Sequence, residues 1–478
     1  MKRIKRKVHF VGVGGIGMSG LAEILLNLGY EASGSDLQRT LITDRLVQCG
    51  LRFYEGHDAL HVGDAEILVV SEAVPHDNAE VQAARERGTP VLHRSELLAD
   101  LMRLKPNAIA VGGTHGKTTT TSMISAMFER ANFGATSIIG GILHRSGTNA
   151  RWGTGEYLVA EADEHDGSFL RLHPTISVVT CIDAEHLEYY GTLDRIKRAF
   201  VDFCNVVPFY GSSILCWDDP NARDILGEID SVCLTYGLEQ GASLRGANVR
   251  WNDGHSQASM SRRLAELHTS IDVISEDERL GVTGELGTLE VKALGVHNVR
   301  NALAACCVGL CLGLKFPYIA DGLRMYDGVR RRLQVCGEER GVLVVEDYAH
   351  HPTEIESTLE AARWIRPNRI IVIFQPHLFS RTKFFCEQFA EVLAAADRAI
   401  ITDIYPSREE PMPGVNSGLI VDAAQKRGAQ NVQLISDMLS VPGQIAEELQ
   451  PGDLVLILGA GNINQLAEPL LQEIAKRP

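Results

Sequence analysis

Residues 108–120 read AIAVGGTHGKTTT, which is an apolar run, a glycine-containing turn and the start of a helical stretch. In such a turn the backbone N–H groups face phosphate oxygens, a lysine such as Lys117 bridges phosphates, and a hydroxyl such as that of Thr118 can hold Mg²⁺. The general pattern has a further glycine five residues before Gly116, where this chain has Val111. The order of strand, turn and helix still predicts a nucleotide triphosphate site in an α/β domain.

A second glycine turn lies upstream, with Gly12, Gly14 and Gly17 after the first apolar strand and Asp36 at the end of the next one. This spacing fits the turn that holds the pyrophosphate of a dinucleotide, with an acidic residue for a ribose hydroxyl. A UDP-sugar also carries a pyrophosphate, so the motif alone does not choose between a nicotinamide and a uridine ligand. Two phosphate turns in successive domains indicate two phosphorylated ligands.

Strand-like runs such as VHFVGVG, YLVAEAD and RIIVIFQ alternate with helical stretches along the whole chain. This alternation is typical of parallel α/β sheets. We therefore predict three consecutive α/β domains: an N-terminal Rossmann-like domain (1–104), a central P-loop-type ATPase α/β domain (105–325) and a C-terminal Rossmann-like α/β domain (326–478). The polar segment 241–287 lacks firm periodicity and is expected to be a β-rich excursion.

Composition excludes several classes of protein. Apolar residues make up 45% of the chain and charged residues 22%, which is the balance of a soluble globular protein. The net charge of -15 argues against binding to a nucleic-acid backbone. The basic start MKRIKRK precedes an apolar run that glycines soon interrupt, so we expect a first strand and neither a secretion signal nor membrane insertion. The ten cysteines contain no CxxC pair and indicate a reducing, cytoplasmic location.

Two acidic runs follow apolar strands downstream of the phosphate turn. They are EADE at 161–164 and DAEH at 183–186. Because α/β sheets place ligands at the carboxyl ends of their strands, these side chains are candidates for Mg²⁺ coordination beside the triphosphate. The alternative is that they are solvated acids at strand ends, which are common without any ligand.

Three further motifs lie later in the chain: HNVRNALA at 297–304, RRR at 330–332 and DYAHHPT at 347–353. Arginines at a domain junction could reach the γ-phosphate only when the domains close, which would couple closure to chemistry. Taken singly, an arginine run or a histidine pair is more often a solvated or capping feature.

Together these residues resemble the Mur ligases of bacterial cell-wall synthesis, over essentially the whole chain. The family's phosphate turn departs from the general pattern as this one does. The motifs that carry the resemblance are HFVGVGGIGMSG, SGSD, GTHGKTTTT, EADEHDGSFL, HNVRNALAA, EDYAHHPTEI and FQPHLFSRT. The resemblance implies that ATP drives ligation of L-alanine to the carboxylate of UDP-N-acetylmuramic acid through an acyl phosphate, with Mg²⁺ as cofactor, in peptidoglycan precursor synthesis.

The resemblance also assigns roles to residues at matching positions. The UDP-sugar would contact Gly14, Gly15, Ile16, Gly17, Asp36 and Ser71. ATP would contact Gly113, Thr114, His115, Gly116, Lys117, Thr118, Thr119, Asn301, Arg332 and Asp347. Mg²⁺ would be held by Thr118, Glu161 and His186, and the amino acid by His350, His377 and Arg381. The catalytic residues would be Lys117, Arg332, His186 and His350.

The chain departs from the family pattern at His165, where a serine is expected, at Leu333, where an aromatic is common, and at Leu378-Phe379 in place of Arg-Tyr. The last difference leaves the details of amino-acid contact open. The alternative within the family is a ligase that recycles murein tripeptide onto the same UDP-sugar. Outside it, a nicotinamide oxidoreductase would leave the phosphate turn and both acidic strand ends without a role. A nucleotide-gated binding module would bind the UDP-sugar tightly without amino-acid-dependent phosphate release. A monomer or weak homodimer is expected.

Overall fold

The computed structural model describes residues 6–144, 147–252, 259–407 and 409–477. In these ranges no helix is long and apolar enough to cross a membrane. The first sheet has five parallel strands in the order β3-β2-β1-β4-β5. Its elements are β1 Lys7–Val11, α1 Ile16–Asn27, β2 Glu31–Asp36, α2 Leu41–Gln48, β3 Arg52–Glu55, β4 Ile67–Val70, α3 Ala79–Glu86, β5 Val91–His93 and α4 Arg94–Met102.

The strand order of this first sheet reverses between β1 and β4. The loops that leave these two strands go to opposite sides and open a crevice at their carboxyl ends, where open α/β sheets bind ligands. The glycine turn follows β1 and Ser71 follows β4, so both flank this crevice. The Rossmann-like fold predicted for this part of the chain is confirmed.

The second sheet has ten strands in the order β15-β14-β13-β12-β11-β10-β6-β9-β7-β8. Its strands are β6 Asn107–Gly112, β7 Thr136–Ile138, β8 Ala150–Arg151, β9 Tyr157–Glu161, β10 Ile176–Val179, β11 Ser212–Cys216, β12 Val232–Gly237, β13 Leu244–Asn252, β14 His268–Ser275 and β15 Gly284–Val291. The helices are α5 Lys117–Arg130, α6 Leu187–Tyr190, α7 Leu193–Asn205, α8 Pro220–Asp224, α9 Met260–Glu266, α10 Val296–Cys311 and α11 Phe316–Arg324. Strand β6 lies between β9 and β10 and is parallel to both, so their three carboxyl ends meet at one edge.

The third sheet has the order β16-β17-β21-β18-β19-β20, with β16 antiparallel to β17 and the other neighbours parallel. Its strands are β16 Gln334–Glu339, β17 Val342–Asp347, β18 Arg369–Phe374, β19 Arg398–Ile401, β20 Val432–Leu434 and β21 Asp453–Leu458. The helices are α12 Pro352–Arg363, α13 Phe379–Ala394, α14 Gly418–Lys426, α15 Val441–Ile445 and α16 Ala467–Ala475. The three-domain α/β fold class predicted from the sequence is confirmed.

The chain forms two compact units. The first lies within residues 1–249, 271–291 and 300–328, and the second within 250–270, 292–299 and 329–478. The segment 241–287 is β-rich as expected, since it contributes β13, β14 and most of β15, and it also contains α9, whose Met260 packs in the core of the second unit. The three domain ranges given above stay predictions.

Candidate functional site

The turn between β6 and α5 has a backbone that only glycine accepts at two positions. Gly113 has φ +122, and a Cβ there would lie 2.1 Å from Thr180 Oγ1. Gly116 has φ +84, and a Cβ there would lie 2.6 Å from Asn301 Oδ1. Since L side chains rarely adopt positive φ, the two glycines fix the turn and leave its N–H groups at the start of α5. The predicted order of strand, turn and helix is confirmed.

The side chain of Lys117 folds back over this turn. Its Nζ donates hydrogen bonds to the carbonyls of Gly113 at 2.7 Å and Thr114 at 3.1 Å, and to Glu164 Oε1 at 2.8 Å. Burial alone would lower the pKa of Lys117, but the charges of Glu164, Asp163 and Glu161 raise this pKa well above its ordinary value. The ammonium group therefore stays charged at any physiological pH, at the place where the motif predicts a phosphate.

Thr118 and Glu161 form the next contact at the same edge. Thr118 Oγ1 donates to Glu161 Oε2 at 2.9 Å, and the backbone N–H of Gly140 donates to the same oxygen at 2.8 Å. A hydroxyl and a carboxylate are hard oxygen donors of the kind that Mg²⁺ prefers. The residues present therefore fit the predicted ion.

His186, the third predicted metal ligand, has its described hydrogen bond with a different acid, although the charges of Glu164 and Asp163 also act on it. It has a left-handed backbone with φ +55, its Nδ1 lies 3.4 Å from Glu188 Oε1, and its ring centroid lies 4.5 Å from that of His165. Burial opposes its protonation, but the Glu188 hydrogen bond and the charge of Glu185 raise the pKa of His186. Among the described contacts, the structure thus groups His186 with Glu188 and not with the Thr118–Glu161 pair.

The loop after β10 and the helix α10 brace the phosphate turn. The backbone N–H of Asp183 donates to Thr114 Oγ1 at 2.8 Å, and His115 Nε2 lies 3.4 Å from Asp183 Oδ2. Thr120 Oγ1 donates to Asn301 Oδ1 at 3.1 Å, and Asn301 is buried. Asn301 therefore lies against the turn, and its contact with the nucleotide stays a prediction.

The predicted UDP-sugar turn is closed by Asp36. The N–H of Gly14 donates to Asp36 Oδ2 at 2.8 Å, and the N–H of Leu37 donates to Asp36 Oδ1 at 2.8 Å. Each carboxylate oxygen can accept a second hydrogen bond, so Asp36 remains able to accept one from a ribose hydroxyl. The structure brings Gly14, Asp36 and Ser71 to the crevice at the carboxyl ends of β1, β2 and β4.

In the second unit, Asp347 fixes the arginine run. Its two carboxylate oxygens accept from the N–H groups of Leu333 and Ala349, both at 2.8 Å, and burial raises the pKa of Asp347. The guanidinium of Arg332 lies 5.5 Å from the Tyr348 ring centroid, and its Nη1 lies 3.9 Å from Glu354 Oε1. Arg332, which precedes β16, and Asp347, which ends β17, are thus neighbours.

The three residues predicted for the amino acid lie together in the second unit. The ring centroids of His350 and His377 are 5.8 Å apart, and Arg381 Nη1 lies 3.1 Å from His377 Nδ1. The ring of Tyr405 is stacked on His377 at 5.8 Å. His350 Nδ1 lies 3.2 Å from Glu354 Oε2. The cluster places a cation and two imidazoles at the carboxyl ends of β17 and β18.

Sequence reasoning missed several partners of these residues. Arg94 Nη2 donates to Asp163 Oδ2 at 2.6 Å, and with Lys117 it outweighs burial and lowers the pKa of Asp163. Glu354 accepts from the backbone N–H groups of His350 at 3.0 Å and of His351 at 3.3 Å, and the second contact caps α12. The sequence did indicate Glu164, because this residue belongs to the EADE run. It did not indicate the contact of Arg94, because an arginine at the start of a helix carries no information about its partner.

Family models match the chain in three consecutive ranges. Residues 7–106 match "Mur ligase family, catalytic domain", residues 111–309 match "Mur ligase middle domain", and residues 331–461 match "Mur ligase, glutamate ligase domain". These ranges agree with the three sheets and cover most of the chain.

Curated relatives match at full length. A "UDP-N-acetylmuramate--L-alanine ligase" of Geotalea daltonii is 44% identical over 472 residues, covering 99% of both chains. One of Geotalea uraniireducens is 46% identical over 468 residues, covering 98% of both. Among solved structures, a UDP-N-acetylmuramate-alanine ligase from Thermotoga maritima superposes with a TM-score of 0.80 at 26% identity, over 98% of this chain and 99% of that one. A murein peptide ligase from Psychrobacter arcticus has a TM-score of 0.72 at 22% identity over 99% of both, which shows the shared fold alone.

Proposed function

Because this chain belongs to the Mur ligase family, we propose that it joins L-alanine to the carboxylate of UDP-N-acetylmuramic acid, at the expense of ATP. The products are the amide, ADP and phosphate, and the reaction is a step in peptidoglycan precursor synthesis. The prediction of this family and activity from the sequence agrees with the full-length relatives that carry that name.

The observation that carries the proposal is the position of Lys117. Its Nζ lies over the phosphate turn and within 2.8 Å of Glu164, beside the Thr118–Glu161 pair. A charged ammonium at a helix N-terminus is suited to stabilise a phosphoryl group while it transfers. Two acidic strand ends next to it supply oxygen donors for the cation that accompanies ATP.

In the proposed first step, a carboxylate oxygen of the muramyl group attacks the γ-phosphorus of ATP, and the bond to the β-phosphate oxygen breaks to release ADP. Lys117 stabilises the charge on the migrating phosphoryl group. Thr118 and Glu161 would hold Mg²⁺, which when bound neutralises triphosphate charge. Asn301 stabilises the turn from α10 through Thr120.

In the second step the alanine amine attacks the acyl carbon, the carbon–oxygen bond to phosphate breaks, and the amine loses a proton. We propose that Arg381 holds the amino-acid carboxylate, because a guanidinium can donate two parallel hydrogen bonds to it. His350, fixed by Glu354, lies close enough to His377 to share this subsite. The amine proton balances the charge of the departing phosphate, which is released as hydrogen phosphate, and the roles of Arg332 and Asp347 on the nucleotide stay predictions.

UDP-sugar binding is proposed for the crevice at the carboxyl ends of β1 and β4. Gly14, Gly15, Ile16 and Gly17 lie where α1 begins. The N–H groups of Ile16 and Gly17, in the first turn of the helix, are suited to a diphosphate, and the glycines allow it to approach the backbone closely. Asp36 is held in place by Gly14 and is suited to a ribose hydroxyl. The cytoplasmic location and the monomer or weak homodimer predicted above stay predictions.

The test is phosphate release from ATP in the presence of UDP-N-acetylmuramate, with L-alanine in one sample and the L-Ala-D-Glu-diaminopimelate tripeptide in another. The proposal expects release with alanine, loss of this release in Lys117→Ala, and no loss in the matched surface variant Lys426→Ala. Release with the tripeptide alone would assign the chain to the recycling reaction. Release with neither substrate would overturn the proposed activity.

A further inference from the structure

Three polar side chains meet between the two glycine turns, and the proposed function leaves them without a role. We call Glu72, His93 and Asp166 the edge cluster. One nitrogen of His93 and one carboxylate oxygen from each acid lie within 4.8 Å of one another. Glu72 follows β4, His93 ends β5, and Asp166 lies in the loop after β9, so the cluster joins the first two sheets of the first unit. Val70 and His93 are paired in register, which brings Glu72 close to His93.

The hydrogen bonds of His93 indicate which ring nitrogen carries its proton. The ring caps α4, since Nδ1 accepts from the N–H of Ser95 at 3.3 Å, while the N–H of His93 donates to Glu96 Oε2 at 2.7 Å. Burial lowers the pKa of His93, so the ring is neutral near pH 7. Ser95 Oγ also lies 2.7 Å from Nδ1. Because the backbone N–H of Ser95 can only donate, Nδ1 is assigned as the acceptor, so the Ser95 hydroxyl donates to it as well and Nε2 bears the hydrogen.

The Nε2 donor of His93 is buried and has no hydrogen-bond partner among the described residues. The nearest carboxylate oxygen is Asp166 Oδ2 at 3.4 Å. The other oxygen, Oδ1, accepts from the N–H of Ser168 at 3.0 Å, which fixes the orientation of Asp166. Glu72 is exposed at the edge of the cluster. The cluster therefore presents one fixed N–H donor and two carboxylate acceptors.

This set of groups fits a neutral hydroxylated ligand better than a metal ion. A hydroxyl can accept from Nε2–H and donate to a carboxylate, and an acetamido group offers both a donor and an acceptor. A metal would need the lone pair of Nε2, which the hydrogen occupies while Nδ1 caps the helix. A fully satisfied structural cluster would also leave no buried donor without a partner.

The position of the edge cluster relative to the proposed substrates is marked by Arg94. Its Nη1 lies 3.1 Å from where a Cβ on Gly17 would be, and its Nη2 contacts Asp163. Asp163 adjoins Glu164, the partner of Lys117. A series of contacts therefore connects the diphosphate turn to the ATP turn through Arg94. His93 immediately precedes Arg94, so the edge cluster lies beside this series. The sugar ring, which links the diphosphate to the reacting carboxylate, has to span the same gap.

We propose that the edge cluster binds the hydroxyl and acetamido groups of the sugar ring of the nucleotide-sugar substrate. This inference rests on the proposed function, since it assumes a ligand with its diphosphate at the Gly14–Gly17 turn. His93 donates to a ring substituent, and Asp166 and Glu72 accept from it. Such contacts would orient the ring so that its carboxylate faces the ATP phosphates.

The test is calorimetric titration of the full chain with UDP, UDP-N-acetylglucosamine and UDP-N-acetylmuramate. His93→Asn keeps a helix-capping acceptor but removes the Nε2 donor. Asp166→Asn keeps an oxygen that can accept from the N–H of Ser168. It replaces the other carboxylate oxygen, which lies towards His93, with an amide N–H donor. Each variant is expected to bind both UDP-sugars about fivefold to tenfold more weakly, as for one lost hydrogen bond, and to bind UDP unchanged. His173→Asn, at an exposed histidine, is the matched control.

The three ligands separate the possible outcomes. Equal losses for UDP and the UDP-sugars would mean that the cluster is structural and would overturn the inference, as would unchanged affinity for both sugars. A loss for UDP-N-acetylmuramate alone would place the contact on the reacting carboxylate and would also contradict it. If the wild-type chain binds UDP but neither UDP-sugar, the proposed function itself fails. That result is distinct from a failure of the edge cluster.

Discussion

Lys117 Nζ lies 2.8 Å from Glu164 Oε1, in an ion pair in which both side chains are largely buried. The pair spans the phosphate turn after β6 and the loop after β9, and the two nearest carbonyls of the turn share the same ammonium group. A lysine held in this way is oriented before any phosphate arrives. All three N–H donors of this ammonium are engaged, so a phosphate has to displace at least one of these contacts. The charge itself already lies at the turn, where it can stabilise a transferring phosphoryl group.

Replacing Lys117 with alanine is expected to reduce ATP-dependent amide formation by about a hundredfold to a thousandfold, because one preorganised donor to the transferring group is lost. The affinity for UDP-N-acetylmuramate should stay within about twofold, since its proposed site is at the first sheet. Product formation by mass spectrometry and calorimetric binding measure the two effects. An active Lys117→Ala variant would remove the basis of the proposed mechanism.

Replacing Glu161 with glutamine is expected to raise the Mg²⁺ concentration needed for half-maximal rate by about tenfold or more, because a charged oxygen donor beside Thr118 is lost. The measurement is the initial rate against Mg²⁺ at fixed ATP. Glu156→Gln, at an exposed acid on the same segment, is the control and should leave the curve unchanged. Coincident curves for Glu161→Gln and the wild type would place the metal elsewhere.

These two predictions rest on residues that the sequence already indicated, because the phosphate turn and the strand-end acids are local patterns. Contacts between segments that are far apart in the sequence could not be predicted from such local patterns. Arg94 and Asp163 are 69 residues apart, and nothing in a helix-start arginine indicates its partner. The left-handed backbone of His186 turns its ring to Glu188, and spacing alone does not give a φ angle. Residues 259–267 likewise fall in the second unit, although they lie between β13 and β14 of the second sheet.

Replacing Asp36 with asparagine is expected to weaken UDP binding by about tenfold, because the amide carries no charge and its nitrogen cannot accept from Gly14. Calorimetric titration with UDP alone measures this. Asp77→Asn, at an exposed acid between β4 and α3, is the control. Unchanged affinity for UDP in Asp36→Asn would mean that the crevice between β1 and β4 is not the UDP site.

The buried carboxylate of Glu80 predicts an acid-dependent loss of stability. Its oxygens meet Ser35 Oγ at 2.6 Å, His57 Nδ1 at 3.1 Å and His61 Nδ1 at 3.0 Å, with His9 Nε2 at 3.7 Å. Burial favours its neutral form, but the nearby His9 ring and the hydrogen bonds from Ser35 and His57 outweigh this and lower the pKa of Glu80 to about 2. Because this folded-state pKa lies below the unfolded value, the stabilisation is present near neutral pH and is lost as pH falls from about 4.5 towards 2.

Urea unfolding as a function of pH tests this prediction. The wild-type free energy of unfolding should fall across that acid range, and Glu80→Gln should flatten the slope while lowering stability at pH 7. Glu86→Gln, at an exposed position of the same helix, should keep the wild-type profile. A Glu80→Gln profile parallel to that of the wild type would show that the carboxylate does not carry the linkage.

Replacing Arg381 with lysine is expected to raise the KM for L-alanine by about tenfold, because a lysine cannot make two parallel hydrogen bonds to a carboxylate. The KM values for ATP and for UDP-N-acetylmuramate should change little. Steady-state phosphate release with each substrate varied in turn separates these effects, with Arg363→Lys as an exposed control. An equal rise in all three KM values would indicate a structural role for Arg381.

The central claim is tested most directly with UDP-N-acetylmuramate whose carboxylate carries a heavy oxygen isotope, incubated with ATP and L-alanine. Mass spectrometry of the products is expected to show the alanine amide and one labelled oxygen in the released phosphate, because the acyl phosphate leaves with an oxygen of the original carboxylate. Absence of an alanine-dependent amide, or unlabelled phosphate accompanying the amide, would contradict the account.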